Sequence, residues 1–172
     1  MGQPTDPPPA WWRWTAIGLL AALLVGTQAL ASWRDDHGLL INTSESLPNW
    51  AFFIERHKTP RRGDYVVFAP PQTPLVISHF GRNRVPFAKI AYGLPGDRVS
   101  RVGDAVLVNE QRVGVLKPRT KRGEQLTPGP VGTIPQHCYY LGTPHKDGFD
   151  SRYADIGFVC ADRIVGTGVP IL

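Results

Sequence analysis

Val85-Pro-Phe-Ala-Lys89-Ile-Ala-Tyr-Gly93-Leu-Pro-Gly-Asp97 is an apolar stretch that ends in a turn, with a lysine set in its middle. Phe87 to Tyr92 reads as a strand. It cannot continue through Gly93-Leu-Pro-Gly-Asp97, because Pro95 has no N–H for a ladder and the glycines favour turns. The same pattern extends in both directions. Upstream, Ala51 to Ile54 and Tyr65 to Ala69 are aromatic and β-branched runs separated by Thr59-Pro-Arg-Arg-Gly-Asp64, which predicts an antiparallel pair, and Leu75 to Phe80 predicts another strand. Downstream, Val99 to Val102, the Gly103-Asp104 turn, Ala105 to Val108 and Arg112-Val113 alternate as a small meander. Lys117 to Pro135 is polar and rich in Gly and Pro, a long surface excursion, before Tyr139 to Leu141 and Gly157 to Val165 complete the sheet. With 18 Gly and 17 Pro in 172 residues, the fold class is mainly β, an antiparallel sheet domain rather than a helical bundle.

Trp14 to Trp33 carries no charge and is long enough, at about 1.5 Å per helical residue, to cross a hydrocarbon core of about 30 Å. Trp11, Trp12, Trp14 and Trp33 fall at its two ends, where amphipathic rings favour the headgroup level. The run closes with Ala29-Leu30-Ala31, a small-x-small pattern that would also suit a cleaved leader. The Trp-rich flank and Pro-rich start fit a retained anchor better than the basic start of a leader. The expected organisation is a disordered cytoplasmic tail over 1–13, a transmembrane anchor over 14–33 and an exported domain over 34–172, with Asp35 to Leu40 as the link. Arg13 on one side, and Arg34 offset by Asp35 and Asp36 on the other, place the N-terminus inside.

The net charge is +5, but the basic residues are scattered in short clusters beside turns without interleaved aromatics, which argues against nucleic acid as a partner. In an exported domain, Cys138 and Cys160 are candidates for a disulfide, since pairing Tyr139 with Val159 in antiparallel register sets the two cysteines opposite each other. The alternative is two free buried thiols. Two cysteines without clustered His or acidic residues make no metal site, and no cofactor is called for.

Lys89 is the residue that asks for chemistry. A lysine on an apolar strand is costly to bury unless paired or neutral, and a neutral amine near pH 7 can take a proton from a serine hydroxyl. Ser46, in Ser44-Glu-Ser46-Leu-Pro48, lies on a loop stiffened by Pro48 between the link and the first strong strand. The bland readings are a solvent-facing lysine and a Ser-rich turn. Histidines 37, 57, 79, 137 and 145 offer a rival base, and none sits in a recognisable triad motif.

Lys89-Ile-Ala-Tyr-Gly-Leu-Pro-Gly-Asp97 resembles the lysine box of type I signal peptidases, and Ser44-Glu-Ser46-Leu-Pro48 resembles their serine box. Tyr140-Leu-Gly-Thr, followed by Gly148-Phe-Asp150-Ser-Arg152-Tyr153, is similar to their C-terminal box, in the same order along the chain. The short domain and Ser-Leu-Pro spacing most resemble the conjugal-transfer branch, the TraF-type peptidases that mature a pilin precursor. The resemblance implies an antiparallel β-sheet peptidase domain on one N-terminal transmembrane helix, with its cleft near the bilayer surface. It implies a membrane-bound serine endopeptidase, with Ser46 as nucleophile and Lys89 as general base. Ser44 would support the oxyanion, and Asp150 with Arg152 would form a bracing ion pair. It further implies a precursor protein as substrate, the inner membrane as the site with the catalytic domain periplasmic, contact with inner-membrane lipid and with the conjugative transfer apparatus, and release of the acyl-enzyme by water or by the precursor's own amine. One departure stands out: Gly148 occupies the place of the family serine that hydrogen-bonds the lysine. The alternative from another class is a non-catalytic exported binding module on the same scaffold.

Overall fold

The computed structural model describes residues 11–44, 46–83 and 85–171. The expected tail over Met1 to Ala10 lies outside the described residues. The chain divides into two units, 1–36 and 37–172. In the first, α1 (Trp11–Asp36) is a continuous helix, long enough and, with a mean hydropathy of 1.7 over an 18-residue stretch, apolar enough to cross a membrane. It extends past both ends of the uncharged run, from Trp11 through Asp36.

The second unit is built from β1 (His37–Ile41), β2 (Ala51–Glu55), β3 (Tyr65–Phe68), α2 (Pro74–Phe80), β4 (Phe87–Gly93), β5 (Arg98–Val102), β6 (Ala105–Val108), β7 (Gln111–Val115), β8 (Gly132–Thr133), β9 (Cys138–Gly142), β10 (Val159–Cys160) and β11 (Ile164–Pro170). Among the described residues these strands form a seven-stranded sheet in the order β1-β2-β11-β3-β4-β9-β10 and a four-stranded sheet in the order β7-β6-β5-β8. The pairings among the described strands are antiparallel, so the fold is the mainly antiparallel β class with an N-terminal apolar helix.

Alternation along β3 explains why the large sheet is buried on two faces: Val66 and Phe68 pack with Leu141 and Val159, while Val67 packs with Phe52, Ile54 and Leu47. The smaller sheet packs Val99, Val106 and Val108 against Ile134 and Tyr140. Tyr140 follows Tyr139 on β9, so successive residues of one strand face different clusters. The turn after β4 is held by Asp97, whose Oδ2 accepts from Leu94 N at 2.6 Å and Arg62 Nη2 at 2.7 Å, and whose Oδ1 accepts from Asn109 Nδ2 at 2.7 Å. The β9–β10 pairing sets Val159 opposite Tyr139 and Cys160 opposite Cys138, and the two sulfurs are bonded.

Four local expectations are corrected. Leu75 to Phe80 is helical, because Thr73 caps it by accepting from Val76 N at 3.2 Å and Pro74 opens the first turn with its φ already set. The link at Asp35 to Leu40 is the end of α1 followed by β1, which pairs along its whole length with β2 from His37↔Glu55 to Ile41↔Ala51. Ala51 to Ile54 and Tyr65 to Ala69 are not partners, since β11 lies between β2 and β3. Close approach is possible there because Gly166 has no side chain: a Cβ at that position would meet Glu55 O at 2.5 Å. Finally, Lys117 to Pro135 is not wholly a surface excursion. It contributes β8 and buries Leu126 and Ile134.

Candidate active site

Lys89 sits in the middle of β4, opposite Val66 of β3, and shares a strand face with Phe87 and Ala91. That position fixes its surroundings: Val66 and Ala91 belong to the buried cluster of the large sheet, and Lys89 itself is only 5% exposed. Burial is the largest cause lowering its pKa, to about 8; the charge of Asp150 acts in the opposite direction and that of Arg152 adds to the fall. Its Nζ lies 5.8 Å from the centre of the Phe87 ring.

The loop between β1 and β2 brings Ser46 to this lysine. Lys89 Nζ donates to Ser46 Oγ at 3.0 Å, and Ser46 Oγ lies 2.9 Å from Ser44 Oγ. The loop is anchored at Leu47, which is buried with Phe52 and Ala88 and so pins the residue next to Ser46. Asn42 ties the loop's ends together. Its backbone N–H donates to Trp50 O at 2.7 Å, and its Nδ2 donates to Asn49 O at 2.8 Å and Leu47 O at 3.2 Å.

Asp150 and Arg152 are fully or nearly fully buried and form a two-pronged pair, Nε to Oδ1 and Nη2 to Oδ2, each at 2.8 Å. The guanidinium also donates to the carbonyls of Gly148, His145 and Val115 at 3.0, 3.2 and 3.2 Å. A buried pair of this kind is tolerable because its remaining donors and acceptors find partners. Asp150 Oδ2 in turn accepts from Thr143 N at 3.1 Å, and Thr143 Oγ1 donates to the carbonyl of Ser46. Thr143 thus links the ion pair to the serine loop.

The departure at Gly148 has a steric cause. A Cβ at that position would lie 2.0 Å from Thr143 Cγ2 and 2.4 Å from Arg152 Nη2, so the Thr143 methyl and the guanidinium fill the space a serine would need. Neither Thr143 nor Asn42 was singled out from the sequence. Thr143 closes the Tyr140-Leu-Gly-Thr part of the C-terminal box, but nothing in the sequence gives it a role of its own. His79 and His145 line the same cleft as Ser46 and Lys89, but their ring nitrogens are engaged elsewhere: His79 Nε2 is 3.1 Å from Glu124 Oε1, and His145 Nδ1 accepts from Asp147 N at 3.2 Å.

Ser46, Ser44 and Lys89 open onto a cleft of about 560 Å³. Its walls combine Leu40 and Ile41 of β1 with Phe80 and Phe87, and Lys117 and Asp147 stand at a polar side. The family model described as "Signal peptidase, peptidase S26" matches residues 11–172. The chain belongs to the S26 signal peptidase family. As a member of that family carrying the apolar helix α1, this S26 peptidase is a membrane-anchored serine endopeptidase that acts on precursor proteins. A crystal structure of a signal peptidase I from Enterococcus faecalis V583 is also similar, with 24% identity over 64% of this chain and 97% of that chain and a TM-score of 0.39. No curated protein matches the chain.

Proposed function

We propose that this S26 peptidase cleaves the leader of an exported precursor by a Ser46–Lys89 dyad. The observation that carries the reading is the 3.0 Å contact between Ser46 Oγ and a lysine whose pKa burial lowers to about 8. With the amine neutral, the contact reverses: Ser46 O–H donates to Nζ, the proton transfers as Oγ attacks the scissile carbonyl, and the ammonium then protonates the leaving amine. The Ser44 hydroxyl and the Ser46 N–H hold the negative oxygen of the tetrahedral intermediate. Asp150 and Arg152 work at a distance from the reacting atoms, fixing the Thr143 end of the serine loop and biasing the charge on Lys89.

The substrate we infer is a conjugative pilin precursor, on the resemblance of the Ser-Leu-Pro spacing and short domain to the TraF-type branch. Extended along an edge of the cleft, such a chain gains main-chain hydrogen bonds without a strict sequence, and small pockets select small residues at the cut. Water releases the acyl-enzyme as a trimmed chain. If the precursor's own amino group attacks the Ser46 ester instead, an amide forms, Ser46 recovers its proton and the product is a ring. In this reading residues 14–33 anchor the protein in the inner membrane, among its lipids, with 1–13 cytoplasmic and 34–172 periplasmic beside the transfer apparatus.

The test is mass spectrometry of a co-expressed pilin precursor from cells carrying the wild-type chain, Ser46→Ala or Lys89→Ala. Shortening by wild type alone supports the dyad, and a further loss of one water supports ring closure. Processing by either variant at the wild-type level refutes it.

A further inference from the structure

Four polar atoms stand in line in the cleft. Lys89 Nζ is 3.0 Å from Ser46 Oγ, which is 2.9 Å from Ser44 Oγ, which donates to Asn42 Oδ1 at 2.8 Å. Asn42 Oδ1 also accepts from Ser44 N at 3.0 Å. The orientation of the Asn42 amide is not free, because Nδ2 donates to two backbone carbonyls, Leu47 O at 3.2 Å and Asn49 O at 2.8 Å. Turned over, the amide would set an oxygen against two carbonyls and an NH2 against the Ser44 N–H. Asn42 therefore ends the line as a pure acceptor.

Proton counting gives this end a role. Each hydroxyl has one proton. While Lys89 is an ammonium donating to Ser46, the Ser46 proton points to Ser44 and the Ser44 proton to Asn42. When Lys89 is neutral, the Ser46 proton turns to Nζ, and Ser44 faces two acceptors: Asn42 Oδ1 and the Ser46 oxygen about to attack. A donor on that oxygen would take up one of its two lone pairs and draw electron density from the other, weakening the nucleophile. Asn42 keeps the Ser44 proton on its own carbonyl until negative charge develops on the substrate oxygen, to which the Ser44 hydroxyl then rotates.

We propose that Asn42 is a positioning residue for the reaction, acting through the Ser44 hydroxyl rather than on the substrate. The proposal rests on the Ser46–Lys89 reading above. It predicts that Asn42→Ala lowers kcat about tenfold with little change in KM, the loss expected when one hydrogen bond is misdirected. Ser44→Ala, which removes a donor to the oxyanion, lowers kcat about a hundredfold. Because Asn42 works through that hydroxyl, the double variant is no slower than Ser44→Ala alone.

The experiment measures kcat and KM of the full chain in detergent micelles on an internally quenched peptide spanning a leader cleavage site, with alanine before the cut. Each variant is first checked by thermal melting. A double variant about a thousandfold slower than wild type overturns the proposal, since independent losses would mean that Asn42 only staples the loop. Asn42→Asp gives a second reading, taken well below its melting temperature because its second oxygen faces the Leu47 and Asn49 carbonyls to which Nδ2 donates. Its carboxylate still accepts from Ser44, and its charge raises the pKa of Lys89, so the acid limb of the kcat profile moves to higher pH and kcat recovers above it. An unmoved limb, with kcat as low as in Asn42→Ala throughout, overturns the proposal. Ser46→Ala and Lys89→Ala are run alongside: cleavage by either refutes the dyad itself, whereas inactive dyad variants with an additive Asn42–Ser44 cycle refute only the role of Asn42.

Discussion

Replacing Lys89 by methionine should abolish activity and make the protein more stable. Lys89 is 5% exposed and its pKa falls from the 10.5 of an exposed lysine to about 8, chiefly through burial. At about 1.4 kcal/mol per pH unit, that fall corresponds to about 3 kcal/mol held against the fold. The sign follows from proton counting. Below pH 8 both folded and unfolded chains carry the ammonium, so the full penalty applies. Between pH 8 and 10.5 the unfolded chain keeps the proton that the folded chain has lost, so stability rises with pH; above 10.5 both are neutral and the penalty is gone. Methionine keeps an unbranched side chain in the strand and removes the charge, at the cost of the hydrogen bond to Ser46 Oγ, about 1 kcal/mol. The net gain at pH 7 is about 2 kcal/mol, or about 7 °C in Tm for a domain of this size. Circular-dichroism melts of wild type and Lys89→Met in detergent micelles, at pH 7 and pH 10, measure it. The reasoning is refuted if the variant melts at or below wild type at pH 7, or if its advantage does not shrink at pH 10.

Two further outcomes follow from the same site. The kcat/KM of the wild-type enzyme should rise with pH and level off above about 8, as Lys89 becomes neutral, and Asp150→Asn should move that limb to lower pH because the Asp150 charge holds the lysine pKa up. The same substitution leaves the Arg152 guanidinium buried without its carboxylate, a loss of about 3–5 kcal/mol, so the profile must be taken well below the variant's melting temperature. Gly148→Ser should destabilise the domain by about 1–3 kcal/mol through crowding against Thr143 and Arg152, and Thr143→Ser, which removes the methyl and keeps the hydroxyl on the Ser46 carbonyl, should restore part of that stability in chemical denaturation.

What could be read in the chain beforehand was whatever a short window records. The β4 strand and its turn are local, and so is the conflict of a lysine among apolar neighbours; the meander of β5, β6 and β7 follows from turns of a few residues. The apolar, β-branched content of Leu75 to Phe80 suits a strand, whereas its helix depends on the cap at Thr73 and on Pro74. The misplaced pairing of β2 with β3 has a different origin: strand order is a long-range property, and the glycines of β11 mark only the possibility of close approach. At the site, Ser46, Ser44, Lys89, Asp150 and Arg152 were named from their boxes. Asn42 and Thr143 lie in polar or strand-end settings where a single amide or hydroxyl has no periodic signal, and their contacts depend on loop closure and on residues 97 positions away.

The position of β11 has a consequence in time. It follows every other strand among the described residues, yet it supplies the hydrogen bonds that join β2 to β3. Ser46 is carried beside β1 and β2 and Lys89 on β4, on opposite sides of that seam. A chain without Ile164 to Pro170 has no strand to join the half-sheet that carries Ser46 to the one that carries Lys89. On the proposed Ser46–Lys89 reading, Ile164 to Pro170 are therefore the residues that assemble the dyad, and the order of synthesis acts as a safety catch on the protease.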